Sequence, residues 1–380
     1  MVVMVRYCQS RVRFIRFAAN RKQEQRLEED LSQRDDDGMT PAHDVAAFIL
    51  QQLEDTLESG VAAGIFNVQT TFDDKRNLTQ LETLASEQLF DWLRDNGLTE
   101  LLFEVTYKSL CLALARDLIE FAAVALKAAK AQLFTPAFAL LRKPFKDNLF
   151  YLEWMLADIK DFMSRFTGRD LDQLTVGSLS ESQRLDIIRY SLEAIACRNW
   201  IEPSLLYDLR FDKKSKTSLE LIWQKATHLI TTQGAALRTE PENFNFVFSD
   251  QKARDSQRQW FYGTVPALLF HALQIIEALI ANFASRSEPD LVPLQTLAGM
   301  TLWMYSPARF LDLRNTPRKF CRIVARTLRT LRCFACGRRI SASVTNITAL
   351  FENLKVTCSG CGQDLSLYVQ PAGVTEQNTA

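Results

Sequence analysis

The chain of 380 residues is long enough for one large domain with a small one beside it, or for two domains of ordinary size. Hydrophobic residues make up 47% and charged residues 24%, a composition that excludes a chain disordered throughout. Because 45 basic residues balance 45 acidic ones, the whole chain is not a polyelectrolyte for nucleic acid or acidic membranes, and any such role needs local clusters of charge.

Residues 1–38 change from a basic stretch (6–22) to an acidic one (28–37). They lack the uninterrupted apolar centre and small-residue cleavage site of a signal peptide. We therefore expect a charged, poorly ordered N-terminal extension, or an over-extended reading frame, with the folded protein beginning near Met39.

Residues 39–312 carry a succession of helix signals and predict one all-helical domain. Apolar residues recur with a helical period, and no series of segments alternates as strands do before residue 335. The sequence therefore predicts a mainly α fold, a multi-helix bundle, rather than a β or α/β core. The expected helix starts are Thr40-Pro41, Thr79, Thr99, Thr135-Pro136, Ser178, Pro203 and Thr217, and a last long helix runs through Trp260 to Ser285.

Two prolines lie inside these helical patterns. Pro144 is expected to kink or interrupt one helix, and Pro266, together with Gly263, another. The stretch from Thr232 to Asp250 is predicted to be irregular.

Apolar runs such as 110–114 and 268–279 are broken by polar or charged residues well before the roughly 20 residues that a bilayer span needs. We predict no transmembrane helix and no membrane partner. The eight cysteines comprise two tight pairs and four scattered single residues, a usage that fits a reducing compartment and a cytoplasmic protein.

Four cysteines near the C-terminus form two Cys-x-x-Cys-Gly turns, Cys333 with Cys336 and Cys358 with Cys361, separated by 21 residues. Two intervening residues let a tight turn direct both sulfur atoms at one ion, and the following glycine permits the turn to close. Four thiolates suit one tetrahedral zinc ion and leave no open position, so the zinc should be structural. A redox pair of thioredoxin type is disfavoured because the βαβ setting is absent.

Residues 333–371 are expected to form a zinc ribbon of three short strands. Ile340, Ala342 and Val344 alternate with polar residues on one predicted arm, and 354–356 and 365–369 supply the others. Metal ligation would contribute most of the stability of so small a module. Residues 372–380 are predicted to be a disordered tail.

Residues 313–332 predict a basic helix that has an apolar stripe on its other side. No acidic residue lies between Arg314 and Ile340, so this is the densest positive patch of a neutral chain. Such patches neutralise phosphates in a salt-sensitive, sequence-tolerant way, although a solvated face or one paired with the acidic N-terminal tract has the same pattern. The candidate nucleic-acid-binding residues are Arg318, Lys319, Arg322, Arg326, Arg329, Arg338 and Arg339.

The chain has three histidines, and no phosphate loop, nucleophile elbow or zinc-protease motif accompanies them. His43 is expected at the surface and His271 in the core. His228, before a polar loop, is the candidate for a chemical role.

The segment 127–166, in which FALLR (138–142) leads into NLFYL (148–152), resembles helical domains of the HEPN-like, bacterial abortive-infection type. His228 with its loop and the helix from Pro266 to Phe283 extends the resemblance over roughly the central half of the chain. HEPN ribonucleases carry an arginine four to six residues before their histidine, and neither His228 nor His271 has one. The resemblance thus implies a helical fold and a non-catalytic binding role, in bacterial defence.

Three functions follow from these features. The first is a non-catalytic helical protein whose basic helix and zinc ribbon bind nucleic acid or a nucleic-acid-associated partner. The second is a metal-independent ribonuclease of HEPN type centred on His228. The third is a protein–protein interaction scaffold in which the ribbon caps the helices or mediates self-association.

Overall fold

The structure is a computed structural model that describes residues 39–70, 88–168, 171–215, 218–232, 238–247, 250–284, 292–306, 309, 311, 313 and 316–367. The predicted extension (1–38), the predicted helix starts at Thr79 and Thr217 and the predicted tail (372–380) lie outside these residues.

The fold is mainly α, as predicted, with a single small two-stranded sheet in the part of the chain that the structure describes. Strand β1 pairs antiparallel with β2, and Val356 lies opposite Leu365. The elements are α1 (Met39–Ala62), α2 (Leu89–Asp95), α3 (Thr99–Lys130), α4 (Phe134–Arg142), a π-helical segment (Lys143–Asn148), α5 (Leu149–Ala157), α6 (Ile159–Thr167), two 3₁₀ turns (Leu171–Leu174 and Val176–Ser178), α7 (Glu181–Ala194), α8 (Pro203–Phe211), α9 (Leu219–Thr227), α10 (Gln251–Ala281), α11 (Val292–Met304), α12 (Thr316–Thr330), α13 (Val344–Asn353), β1 (Lys355–Thr357) and β2 (Asp364–Ser366).

Side-chain caps begin several helices at or near the predicted positions. Ser180 and Gln183 form a reciprocal capping box at the start of α7, two residues after the predicted Ser178. Ser218 accepts a hydrogen bond from the backbone N–H of Glu220 at the start of α9. Each cap satisfies a backbone donor that the first turn leaves without a partner.

The irregularity predicted at Pro144 is confirmed as a π-helical segment between α4 and α5. Proline removes one backbone donor, and the wider turn changes which carbonyl groups the helix itself can satisfy. The carbonyl of Phe145 in this segment accepts a hydrogen bond from Nε of Arg210 at 2.8 Å. A buried side chain therefore supports the wider turn.

The interruption predicted at Gly263 and Pro266 is wrong, because α10 runs through both residues. Pro266 has no N–H to donate to the carbonyl of Tyr262, four residues earlier. The indole Nε1 of Trp303 donates to that carbonyl at 2.8 Å instead. A tertiary hydrogen bond thus replaces the missing helical one, and no local sequence pattern predicts it.

Helix α10 is long and apolar enough to cross a bilayer by length and composition alone. However, 78% of its most apolar window is buried inside the protein. Such burial is typical of the core helix of a water-soluble domain.

The chain forms two compact units. The described part of the first unit comprises residues 39–49, 258–267, 292–306, 309, 311, 313 and 316–367. The predicted boundary between residues 312 and 313 falls inside this unit. In it, Gly299 of α11 lets Phe351 of α13 approach so closely that an added Cβ would lie 2.6 Å from the phenyl ring. Nε2 of Gln295 donates to the carbonyl of Phe351 at 2.6 Å, so α13 is held firmly on α11.

The second unit comprises residues 50–257 and 268–285. Its core is rich in fully buried aromatic side chains, and tilted or edge-to-face ring pairs fill it. Its largest buried aromatic residues are Trp154, Trp200, Trp223, Phe138, Phe145, Phe150 and Phe270.

Candidate metal centre and basic surface

Two turns of the same geometry carry the four C-terminal cysteines. In the first knuckle (333–337) the N–H of Gly337 donates to the carbonyl of Cys333 at 2.8 Å, and in the second knuckle (358–362) Gly362 donates to Cys358 at 2.8 Å. Both glycines have positive φ, +71° and +73°, which side chains strongly disfavour. The sequence motif Cys-x-x-Cys-Gly therefore specifies each turn locally.

The two knuckles bring all four sulfur atoms within 4.8 Å of one another. The Sγ atoms of Cys333 and Cys361 are 3.6 Å apart, and so are those of Cys336 and Cys358. A tetrahedron with metal–sulfur bonds of about 2.3 Å has sulfur–sulfur edges of about 3.8 Å, whereas a disulfide bond is about 2 Å long. The predicted ligands thus form a cluster that could hold a metal ion.

Backbone N–H groups of the second knuckle favour the thiolate of Cys358, whereas the neighbouring sulfur atoms raise the pKa of the Cys361 thiol to about 12. The N–H of Gly360 donates to Sγ of Cys358 at 3.4 Å. This bond, with one from the N–H of Cys361, lowers the pKa of the Cys358 thiol to about 7. Metals bind the deprotonated sulfur, so the polarity of this turn suits a metal ligand.

The predicted three-stranded ribbon is wrong in its first arm. Val344 begins α13 instead of ending a strand, and Ser343 caps this helix by accepting from the N–H of Asn346. Ile347, Leu350 and Phe351 are buried at helical spacing, which outweighs the short alternation of the preceding residues. The other two predicted arms correspond to β1 and β2. We call residues 331–367 the cysteine module.

Asn346 connects the two halves of the cysteine module, a role that no sequence pattern indicates. Its Nδ2 donates to the carbonyls of Ser341 and Thr357 at 2.9 and 3.1 Å, and its Oδ1 accepts from the N–H of Thr357 at 2.8 Å. The side chain is buried, and Thr357 directly precedes Cys358. Asn346 therefore fixes the position from which the second knuckle begins.

Helix α12 presents the predicted basic residues on one face. Arg318, Lys319, Arg322 and Arg326 are exposed and Arg329 is half-buried; we call these five residues the basic row. The opposite face is buried and includes Phe320, Val324 and Leu328. Arg338 and Arg339, at the first knuckle, are also exposed.

A cluster of three buried polar side chains, Glu153, Arg210 and His271, lies in the second unit; we call it the buried charge cluster. Oε1 of Glu153 accepts from Nη1 of Arg210 at 2.6 Å and lies 2.7 Å from Nε2 of His271. All three side chains are fully buried. Burial opposes ionisation of Glu153, but Arg210 and His271 outweigh it and lower the pKa of that carboxyl group.

The histidines occupy different settings. His271 is a core residue, as predicted. His43 is half-buried, and its Nδ1 lies 3.0 Å from the hydroxyl of Tyr262. His228 is exposed at the end of α9, where its carbonyl accepts from Nδ2 of Asn245 at 2.7 Å. That contact involves the backbone of His228 and not its ring, so its chemical role stays a prediction.

Comparisons with known proteins give no relative: no protein-family model, no curated protein and no solved structure matches the chain significantly.

Proposed function

We propose that this protein binds nucleic acid through the basic row and the exposed arginines of the cysteine module, without catalysing a reaction. The observation that carries the proposal is that these cations lie in one compact unit and in a stretch, from residue 313 to 351, that contains no acidic residue. The fold thus concentrates positive charge that the neutral composition of the whole chain conceals.

The dimensions of α12 suit a phosphate backbone. The basic row extends from Arg318 to Arg329, or about 16 Å of helix. Successive phosphates of one strand are about 3.4 Å apart along a duplex, so the row matches the length of about five phosphates. Binding of this kind is salt-sensitive and tolerant of sequence, because phosphates carry no sequence information.

Zinc is the metal that best fits the cysteine module. Four soft thiolates clustered within 4.8 Å of one another are typical of structural zinc sites, and zinc would supply the cross-link that the short strands cannot. Cys333, Cys336, Cys358 and Cys361 would fill the coordination shell, leaving no position for substrate. Thiolate ligands require reduced cysteines, which favours the cytoplasm as the location.

The test is a comparison of two triple variants by fluorescence anisotropy with generic DNA and RNA at low salt. Changing Arg322, Arg326 and Arg329 to Ala should weaken binding at least about tenfold, because three phosphate contacts are lost. Changing Lys130, Lys160 and Lys252 to Ala removes the same charge from exposed positions elsewhere and should leave affinity nearly unchanged. Equal affinities of the two variants, or no binding by the unmodified protein, would overturn the proposal.

A further inference from the structure

The tip of the first knuckle carries an aromatic side chain in water. Phe334 is 69% exposed, more than any other large hydrophobic residue among those that the structure describes. The ring lies between Cys333 and Cys336, in a turn that backbone hydrogen bonds and the cysteine cluster hold in place. An exposed aromatic ring offers a free π face on which a flat ligand can stack.

Two arginines face each other where the chain enters and leaves the first knuckle. Arg332 and Arg339 form an antiparallel bridge flanked by hydrogen bonds from Cys333 to Arg338 and from Ile340 to Leu331. In that position the two residues are a non-hydrogen-bonded pair, whose side chains lie especially close. Both side chains are exposed. Like charges directly opposite repel, and an anion between them would reverse that effect.

The orientation of the neighbouring cations supports an anion at this place. Nη1 of Arg332 donates to the carbonyl of Gly337 at 3.1 Å, which fixes its guanidinium group against the first knuckle. The side chain of Arg338 lies over Gly360 of the second knuckle, where an added Cβ would collide with its Cδ. Glycine at position 360 thus leaves room for the side chain of Arg338 over the second knuckle.

We infer that the first knuckle is a site for one unpaired nucleotide: the base stacks on Phe334 and a neighbouring phosphate lies between Arg332 and Arg339. This inference rests on the proposed function, whose ligand is nucleic acid in general. At the first knuckle it specifies a single strand, because the bases within a duplex are stacked on both faces and leave none free for Phe334. Aromatic stacking beside cations is the usual means by which proteins hold unpaired bases without reading their sequence. An acidic peptide would use the arginines but has no need of an aromatic ring.

The experiment measures binding of full-length zinc-loaded protein to fluorescein-labelled oligo-dT and oligo-U of about 20 nucleotides and to a duplex of the same length. Phe334→Ala should weaken binding to both single strands about tenfold and leave duplex binding unchanged. Phe334→Leu should behave like Phe334→Ala, because leucine is apolar but has no π face. Phe334→Trp should keep the affinity, and its added indole fluorescence should fall when oligo-dT binds.

The phosphate part of the site has its own readout. Replacing both Arg332 and Arg339 with Ala should lower the slope of log K against log salt concentration for oligo-dT by about 0.7, since the two arginines hold one phosphate and each phosphate contact on a single strand contributes about 0.7. Phe334→Ala should not change this slope, because stacking releases no counterions. Zinc content and circular dichroism confirm that each variant is folded.

Several results would overturn the inference. The first is unchanged single-strand affinity in Phe334→Ala, and the second is full single-strand affinity in Phe334→Leu. The third is a loss of duplex binding, in these two variants, as large as their loss of single-strand binding. The first two results, with the basic-row variant still impaired, would refute the nucleotide site and leave the proposed function intact. If the variant with Arg322, Arg326 and Arg329 changed to Ala bound nucleic acid as tightly as the lysine control, the proposed function itself would be refuted.

Discussion

The buried charge cluster and the basic row use similar side chains in opposite surroundings. Glu153, Arg210 and His271 are sealed from solvent and bind one another, whereas most of the basic row lies in water. In the cluster, Oε2 of Glu153, Nη2 of Arg210 and Nδ1 of His271 have no hydrogen-bond partner among the described residues. Desolvation makes such a cluster expensive, so it persists only through close mutual contacts.

The difference separates charge buried inside the fold from charge exposed at its surface. Arg210 is committed to Glu153 and to the π-helical segment, and no polyanion can reach it. The basic row keeps its charge at the surface, on a helix whose other face is core. An arginine is therefore informative about function only once its burial and its partners are known.

Metal removal should have the largest effect. It should destabilise the cysteine module and leave the buried charge cluster unchanged. Stripping the proposed zinc ion with a strong chelator should unfold the cysteine module, because binding of a structural zinc ion contributes on the order of 10 kcal/mol. Hydrogen exchange should accelerate in α13 and remain slow in α5, which carries Glu153. Unchanged exchange in α13 after complete removal of zinc would contradict a stabilising metal.

The next effect concerns the buried charge cluster. Glu153→Ala should lower the free energy of unfolding by about 3–5 kcal/mol, because Arg210 and His271 lose their shared acceptor while remaining buried. Urea denaturation measures this loss. The matched control is an exposed carboxylate paired with an arginine, Asp91 with Arg94: Asp91→Ala should cost less than about 1 kcal/mol. Similar losses in the two variants would show that burial does not determine how much these charged groups contribute to the free energy of unfolding.

Asn346→Ala should have an intermediate effect on the cysteine module. Three hydrogen bonds are lost and the buried N–H of Thr357 loses its acceptor, at a cost of about 2–3 kcal/mol. The affinity of the cysteine module for zinc should also fall, because Asn346 no longer holds the backbone of Thr357, from which the second knuckle begins. Competition with a chromogenic zinc chelator measures the affinity, and Thr345→Ala, at an exposed position of the same helix, is the control. Equal zinc affinity in the two variants would exclude this role of Asn346.

The smallest effect is the pH dependence of the buried charge cluster. Burial, opposed by Glu153, lowers the pKa of His271 below its usual 6.5. The unfolded chain therefore binds more protons than the folded one as pH falls below about 6.5, and stability should decrease there. Urea midpoints at about pH 7.5 and about pH 5.5 measure the decrease, which His271→Gln should reduce. A pH-independent midpoint would show that His271 does not contribute.

The cysteine cluster could be predicted because its turns and its chemistry are local in sequence. The buried charge cluster could not, since Glu153, Arg210 and His271 are far apart in the chain and each looks ordinary alone. The continuity of α10 at Pro266 likewise depends on Trp303, a distant donor. The mistaken strand before α13 has a different cause, because a short alternating segment overlapped a helix cap at Ser343. Local patterns thus predicted most helices and the cluster of four cysteines, whereas long-range packing decided the rest.

The most direct test of nucleic-acid binding by the basic row is the salt dependence of affinity for a generic DNA duplex. The slope of log K against log salt concentration should be shallower by about 2.7 when Arg322, Arg326 and Arg329 are changed to Ala, because each lost phosphate contact contributes about 0.9. The variant with Lys130, Lys160 and Lys252 changed to Ala should retain the slope of the unmodified protein. Identical slopes for all three proteins would contradict the account.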